Sequence, residues 1–274
     1  MKEWRWDREK QKRRNNKSRT DSKQEKREVE VVRVVQITRR DEQLVQWLGV
    51  VRMADMHAVR WAMGGLNGSE EPVSLRVAQK WVARLVRIGL LDRERLSYQD
   101  SQIVWATHTA TGRVAPNLYR QTTRHELAVA AASARYLARG YEWFRDARPE
   151  SLQDHQVDGV AVKGNVVELV EVELTAKALK RYKLIHNHHG QRLANGAASR
   201  VVYLCTTDAA RAVAREADRF IFRDQRQQLV TLPVFDIKGR WIGNDTDLWD
   251  GVVEPVSSAA EIPTPQLWDR EVVS

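Results

Sequence analysis

The spacing of apolar residues divides the first half of the chain into helices and a hairpin. Between residues 41 and 107, apolar positions recur first at helical spacing and then at alternate residues. This change of period predicts three helices followed by two short strands. The first helix begins near Asp41, and the other predicted elements are helices 53–63 and 74–88 and strands 90–95 and 103–107.

The third predicted helix separates apolar from cationic residues. An apolar stripe facing the core is predicted from the spacing of Val77, Trp81, Leu85 and Ile88. The polar residues of this helix are Arg76, Gln79, Lys80, Arg84 and Arg87, and the following hairpin adds Arg93 and Arg95. Two helices, a cationic helix and a hairpin form the order of a winged helix-turn-helix, in which that helix enters the major groove of double-stranded DNA. The alternative is a protein-interaction domain whose basic face is only hydrated.

The second half of the chain mixes strands with helices. From residue 123 the pattern predicts helix, three strands, helix, strand, helix and strand, which favours an α/β sheet covered on both faces. We therefore predict an α/β fold, α+β overall. The predicted regions are a basic arm 1–36, a winged helix-turn-helix 37–115, an α/β domain 120–240 and an acidic, proline-containing tail 241–274.

Three carboxylates fall on two neighbouring predicted strands of that domain. Glu171 and Glu173 share one face of the run 166–174, because side chains of a strand alternate between faces, and Asp158 lies on the strand before. Such hard oxygen ligands suit Mg²⁺ or Mn²⁺, and Lys177 could return an ammonium group to the site. The alternative is an exposed pair of glutamates neutralised by the basic residues that follow, Lys177, Lys180 and Arg181.

Composition limits the partners and the compartment. Lys and Arg total 45 against 36 Asp and Glu, a net charge of +9 that fits a polyanion partner. Residues 1–27 hold twelve of these cations against five acids and could contact phosphate or serve as a solubilising tail. The single cysteine, Cys205, excludes a disulfide framework within the chain and fits a reducing compartment. With no apolar run near the roughly 18 residues of a membrane span, we expect a cytoplasmic protein without a membrane partner.

Histidines offer a second set of candidate ligands. His186, His188 and His189 precede Gly190, where we predict that the helix 176–189 ends. At such an end the imidazoles would be wet and would complement the helix dipole rather than bind zinc. Glu126, which follows His125 early on the helix from residue 123, is either an additional ligand or part of a solvent-facing pair with that histidine.

The carboxylate pattern resembles the PD-(D/E)xK nuclease superfamily. Asp158 matches the first acid and Glu171 the second, whereas Glu173 stands where the superfamily usually has lysine. The resemblance implies a restriction-endonuclease-like mixed α/β/α sheet and metal-dependent cleavage of phosphodiesters. Asp158, Glu171, Glu173 and Lys177 would then be catalytic, with the three acids as metal ligands.

The chain as a whole resembles the replication-relaxation family of actinobacterial plasmids, phages and integrative elements. The resemblance spans residues 41–236 and rests on GLLDR after the cationic helix, HELAVA at 125–130 and the block VDGV…VELVEVELTAK. It implies a DNA-binding protein acting in plasmid replication, mobilisation or DNA processing. One hypothesis adds a Mg²⁺-dependent nicking domain. The other is a non-catalytic accessory factor, with relaxase or replication proteins as partners, or a repressor; a homodimer stays open.

Overall fold

A computed structural model describes residues 36–97, 101–148 and 154–244 of the chain. The predicted basic arm, apart from residue 36, and the predicted acidic tail from residue 245 lie outside these ranges. The described residues form seven α-helices and two β-sheets, so the predicted α/β class, α+β overall, is confirmed. The helices are α1 Arg39–Val51, α2 Met56–Leu66, α3 Leu75–Arg87, α4 His108–Thr111, α5 Thr123–Ala138, α6 Leu179–Ala194 and α7 Thr207–Phe220. The strands are β1 Ala54–Asp55, β2 Leu91–Glu94, β3 Ile103–Ala106, β4 Glu142–Phe144, β5 Gly159–Lys163, β6 Val166–Glu173, β7 Arg200–Thr206 and β8 Leu229–Phe235.

The N-terminal region folds as a helix, a strand, two helices and a hairpin. Its three strands form an antiparallel sheet in the order β1-β3-β2. A capping box begins α1, in which the Thr38 hydroxyl accepts from the Asp41 amide and the Asp41 carboxylate accepts from the Thr38 amide. Ser74 caps α3, and its side chain accepts a hydrogen bond from the Val77 amide. Helix α2 begins later than predicted, because Asp55 ends β1 and caps the helix.

The buried side of α3 differs from the predicted stripe. Ala78, Val82 and Leu85 are buried, whereas Val77 is 49% exposed. Trp81 is only partly buried, and its indole N–H donates to Oδ1 of Asp41 at 2.7 Å. The prediction assigned the larger apolar residues of α3 to the core. In the fold, the small Ala78 occupies the core-facing position, and the polar edge of Trp81 keeps that side chain at the boundary.

The C-terminal region is built on a mixed sheet in the order β4-β5-β6-β7-β8. Strands β4, β5 and β6 pair antiparallel, whereas β6, β7 and β8 pair parallel. Parallel neighbours require a crossover, and α6 and α7 supply the two that this sheet needs.

Strand β6 is buried on both faces. Val170 and Val172 belong to the apolar core shared with α5, while Leu169 on the opposite face belongs to the core shared with α6 and α7. Cys205 of β7, whose side chain is fully buried, lies in this second core. Helices therefore cover both faces of the sheet, and any charge on β6 must find a partner inside the protein.

Glu168 of β6 is fully buried on the α5 face and has three polar partners. Its carboxylate accepts hydrogen bonds from the hydroxyls of Tyr136 at 2.8 Å and Tyr141 at 3.1 Å. The Nε atom of Arg200 lies 2.8 Å from Oε1 of Glu168. These contacts connect α5, β4, β6 and β7 through one carboxylate, which is how a buried charge is tolerated.

Helix α6 continues beyond the predicted end. It runs to Ala194, with Gly190 inside it, and begins after Ala178 rather than at residue 176. The glycine that leaves the helix in a left-handed conformation is Gly196, with φ +73°. The prediction of a frayed end at Gly190 was therefore wrong, and the histidines that precede it lie within the helix.

The N-terminal helices pack directly on the C-terminal region through α2 and α5. A Cβ atom placed on Gly65 of α2 would lie 2.5 Å from the carbonyl carbon of Leu137. Only glycine allows this approach of the two backbones, so α2 and α5 are held close along their C-terminal turns.

Replacing Gly65 tests this junction. Gly65→Ala should lower the free energy of unfolding by about 1–3 kcal/mol, because the methyl group forces two backbones apart. Gly49→Ala in α1 is the matched control, since its Cβ would meet only Cγ2 of Thr111 at an ordinary 3.5 Å. The control should be neutral or gain up to about 1 kcal/mol from helix propensity. Equal stabilities of both variants in urea unfolding would contradict the packing.

Candidate functional site

Two of the predicted acids, Asp158 and Glu171, lie opposite each other where the β5–β6 pair ends. Gly159 pairs with Val170, so Asp158 and Glu171 are the next residues along the two strands. Glu171 and Glu173 both lie on the α6 face of β6 and are buried. The alternation along β6 is as predicted, but Asp158 lies just before β5 rather than on it. The proposed exposed face is not found, because both glutamates are buried.

Asp158 is held by the backbone of β6 and by a histidine from α5. Its Oδ2 accepts a hydrogen bond from the Val172 amide at 2.8 Å. Nε2 of His125 lies 3.2 Å from the same oxygen and 3.1 Å from the carbonyl oxygen of Val172. Both neighbours of Nε2 are acceptors, so this nitrogen carries the proton. His125 thus faces the acid end of the sheet, whereas its neighbour Glu126 contacts the hydroxyl of Thr122.

Glu171 lies between two histidines. Nε2 of His155, from the segment before β5, is 2.5 Å from Oε1 of Glu171, and Nε2 of His189, from α6, is 3.2 Å from the same atom. Burial acts to raise the pKa of Glu171, but its close contacts with the two histidines hold it far below the usual value of 4.5. The carboxylate is therefore ionised inside the protein.

Glu173 takes a separate partner. Its Oε2 forms an ion pair with Nζ of Lys177, four residues further along the chain. Burial lowers the pKa of Lys177 from 10.5, and the charges of Glu171 and Asp158 oppose that shift. Lys177 therefore lies at the acid end of the sheet, in the segment before α6 rather than inside the helix predicted from residue 176.

The three carboxylates do not share one point. In the described part of the chain, the one group of ligand atoms that all lie within 4.8 Å of one another is formed by His155, Glu171 and His189. Asp158 and Glu173 are outside it. Among the described residues there is thus no cage of carboxylate oxygens of the kind that suits Mg²⁺ or Mn²⁺.

Two of the three predicted histidines of α6, His186 and His189, are buried rather than solvent-exposed. His186 and His189 are fully buried, and burial lowers the pKa of His186 to about 4. Burial also lowers the pKa of His189, against the opposing effect of Glu171. The 3.2 Å contact of His189 is not aligned as a hydrogen bond, so both ring nitrogens of His186 and of His189 lack a hydrogen-bond partner among the described residues. Each such group costs about 1–3 kcal/mol.

A signal for this burial exists in the sequence. Tyr182, Ile185, His189 and Leu193 recur at helical spacing, and all are buried. The predicted end of the helix at Gly190 hides this signal, because it cuts the pattern short of Leu193. His155 was also missed, since no local pattern connects a residue before β5 with His189, which lies in the middle of a later helix.

A second candidate surface lies on α3. Arg76, Gln79, Lys80 and Arg87 are exposed on the helix, and Arg93 and Arg95 are exposed on the β2 hairpin strand and just after it. Arg84 differs, because its Nη2 forms an ion pair with the buried carboxylate of Asp41. Five cations and one amide therefore remain exposed, and Arg84 connects α3 to α1.

Comparisons with known proteins give no match. No family model, curated protein or solved structure matches the chain. The resemblances to replication-relaxation proteins and to PD-(D/E)xK nucleases therefore rest on the quoted residues. No described helix combines the length and apolar character that crossing a bilayer requires.

Removing the charge of Asp158 tests its contact with His125. Burial acts to lower the pKa of His125, but the hydrogen bond and charge of Asp158 raise it above 6.5. This pair stabilises the fold fully below about pH 6.5, while the acid is ionised, and the contribution fades as pH rises through the higher folded-state pKa. In Asp158→Asn, burial should bring the pKa of His125 below that of the unmodified chain.

The measurement is an NMR titration of the histidine ring signals. Glu142→Gln, at an exposed position of β4, removes one negative charge elsewhere and should leave His125 unchanged. An Asp158→Asn protein whose His125 titrates as before would exclude the contact.

Proposed function

We propose that the protein binds double-stranded DNA through α3, with the β2–β3 hairpin contacting the flanking backbone. The observation that carries this proposal is the exposed set of Arg76, Lys80 and Arg87 on the second of two consecutive helices that a hairpin follows. This is the position of the recognition helix in helix-turn-helix proteins. The strand order β1-β3-β2 supports a winged form of that motif.

The first turns of α3 have the composition of a base-reading surface. Recognition helices contact base edges with their N-terminal residues. There Arg76 and Gln79 offer hydrogen bonds for guanine and adenine edges, and Val77, 49% exposed, offers an apolar contact for a thymine methyl. Exposed apolar and amide groups among the cations favour a sequence-reading role over a merely hydrated face.

Arg84 acts as a positioning residue in this proposal. Burial would raise the pKa of Asp41, but the hydrogen bond from Arg84, the capping contacts and Trp81 lower it below 3.8. The ionised carboxylate therefore joins the cap of α1 to the middle of α3. A recognition helix needs a fixed angle to the groove, and this contact supplies one.

The wider role we propose is that of a mobile-element protein in plasmid replication, mobilisation or DNA processing. The replication-relaxation resemblance supports it, and so does the net charge of +9. The second hypothesis, an accessory factor or repressor without catalysis, uses the same DNA-binding surface. Failure of the unmodified protein to bind DNA would contradict both hypotheses. A DNA-cleavage assay distinguishes between them.

Neutralising α3 should weaken DNA binding. In Arg76→Ala/Lys80→Ala, two phosphate or base contacts are lost, and the slope of log K against log salt should become shallower by about 2 if both contact phosphate. Lys180→Ala/Lys183→Ala on the exposed side of α6 is the control with an equal change of charge. Fluorescence anisotropy on duplex DNA over a salt series measures both. Equal affinities and slopes for the two variants would exclude α3 as the DNA-binding helix.

Phosphodiester cleavage is the second candidate function. It is favoured by the position of Asp158 and Glu171 at neighbouring strand ends, with Lys177 close enough for both charges to affect its pKa. The carboxylates have separate partners in this structure, so an ion bound by carboxylate oxygens would require Asp158 and Glu173 to leave their present partners. Cleavage is thus a hypothesis from the sequence pattern, and the separate partners of the carboxylates disfavour it.

Supercoiled DNA tests this candidate. With Mg²⁺ or Mn²⁺, a nicking enzyme converts it to the relaxed form, and Asp158→Ala should abolish that product if Asp158 is a ligand. The Lys180→Ala/Lys183→Ala protein should nick like the unmodified chain. Absence of relaxed product with either ion, or an equal yield from Asp158→Ala, would favour the non-catalytic hypothesis.

A further inference from the structure

The buried layer between β6 and α6 contains more polar groups than its hydrogen bonds satisfy. Besides the ring nitrogens of His186 and His189, the hydroxyl of Tyr203 is buried without a hydrogen-bond partner among the described residues. Tyr203 is the register partner of Glu171 on β7 and therefore lies on the same face of the sheet. Its ring contacts both His186 and His189 edge-on.

We propose that His155, Glu171 and His189 form a binding site for a divalent transition-metal ion, of which Zn²⁺ fits best. The three residues come from a segment before β5, from β6 and from α6, so the fold rather than a local motif brings them together. The site is distinct from the carboxylate set predicted from the sequence, because it shares only Glu171 with it. The inference is independent of DNA binding.

The donor set determines the class of ion. Two imidazole nitrogens and one carboxylate oxygen match the ligands of Zn²⁺ and its neighbours, whereas Mg²⁺ and Ca²⁺ prefer oxygen alone. Binding would place a cation beside a buried carboxylate, which relieves the cost of that charge.

The spacing allows binding with small side-chain movements. Ligand atoms on one tetrahedral Zn²⁺ lie about 3.3 Å apart, given Zn–N and Zn–O bonds near 2.0–2.1 Å. The contact of His189 with Glu171, at 3.2 Å, has this spacing. The 2.5 Å contact of His155 with Glu171 would lengthen. The ligand atoms of the third pair, His155 and His189, start within 4.8 Å of each other. Adjustments of about an ångström therefore complete the site.

Three protein ligands leave a further coordination position. Structural zinc sites are usually closed by four protein ligands, whereas sites that hold a water or a substrate use three. The Tyr203 hydroxyl in the same layer is a candidate hydrogen-bond partner for a bound water. This ligand count predicts a centre that takes a water molecule as its fourth ligand.

Metal binding by the full-length protein tests the inference. After treatment with a chelator and its removal, calorimetric titration with Zn²⁺ should show a single tight site. Co²⁺ should give the visible absorption of a four-coordinate ion, and Zn²⁺ should displace it. Zn²⁺ should also raise the Tm, because a ligand that binds only the folded state stabilises it.

Single substitutions locate the site. Glu171→Gln, His155→Ala and His189→Ala should each weaken Zn²⁺ binding by more than about 100-fold, because changes even to groups behind the ligands cost about 10–100-fold. His188→Ala is the matched control, since this neighbour on α6 is outside the group and lies 3.8 Å from Asp154. It should bind as the unmodified chain does. Circular dichroism in chelator checks that each variant is folded, and Glu171→Gln preserves the side-chain shape.

Three outcomes would overturn the inference. The first is no saturable Zn²⁺ binding by the unmodified protein. The second is binding by Glu171→Gln and His189→Ala that equals the control. The third is loss of binding in Asp158→Asn or Glu173→Gln with His155→Ala and His189→Ala unaffected, which would place the ion at the carboxylates. None of these results depends on whether the protein binds or cleaves DNA.

Discussion

Burial of three glutamates on β6 is the constraint on which the C-terminal region depends. Glu168, Glu171 and Glu173 are at most 5% exposed, in a strand covered on both faces. An ionised carboxylate is tolerated there only when other groups compensate its charge. Two tyrosines and Arg200 do so on the α5 face, while histidines and Lys177 do so on the α6 face. The α5 face thus holds the partners of one carboxylate, and the α6 face holds those of the other two.

In the N-terminal region, neighbouring groups likewise compensate the charge of a buried carboxylate. Asp41 caps α1 and at the same time receives the Arg84 guanidinium and the Trp81 indole from α3. One buried charge therefore fixes the angle between the first helix and the helix that we propose to bind DNA. The close approach at Gly65 continues this rigid connection to α5 and the larger sheet. The cationic surface and the acid end of the sheet belong to one continuous unit rather than to two loosely joined domains.

Local pattern predicted most elements but few of the contacts at the site. Alternation located β5 and β6, and helical spacing located α1, α3, α5 and α7, because those periods follow from backbone geometry. The pairing of Glu171 with His155 and His189 could not be predicted in this way, because it depends on which face α6 covers. Gly190 misled the prediction, since glycine ends a helix only where φ becomes positive, and here Gly196 does so. Val77 and Trp81 show the same limit, because apolar character alone does not distinguish a core position from an exposed or boundary one.

Cys205 has a chemical consequence that follows from its place in this sheet. It pairs in register with Glu173, its side chain is fully buried, and burial raises the pKa of its thiol to about 12. The thiolate is the nucleophile that reacts with alkylating reagents, so the cysteine of the folded chain is protected by both lack of access and lack of ionisation. Since the chain has one cysteine, the rate of its modification reports how often the centre of the sheet opens. The protein thus contains its own reporter of conformational opening.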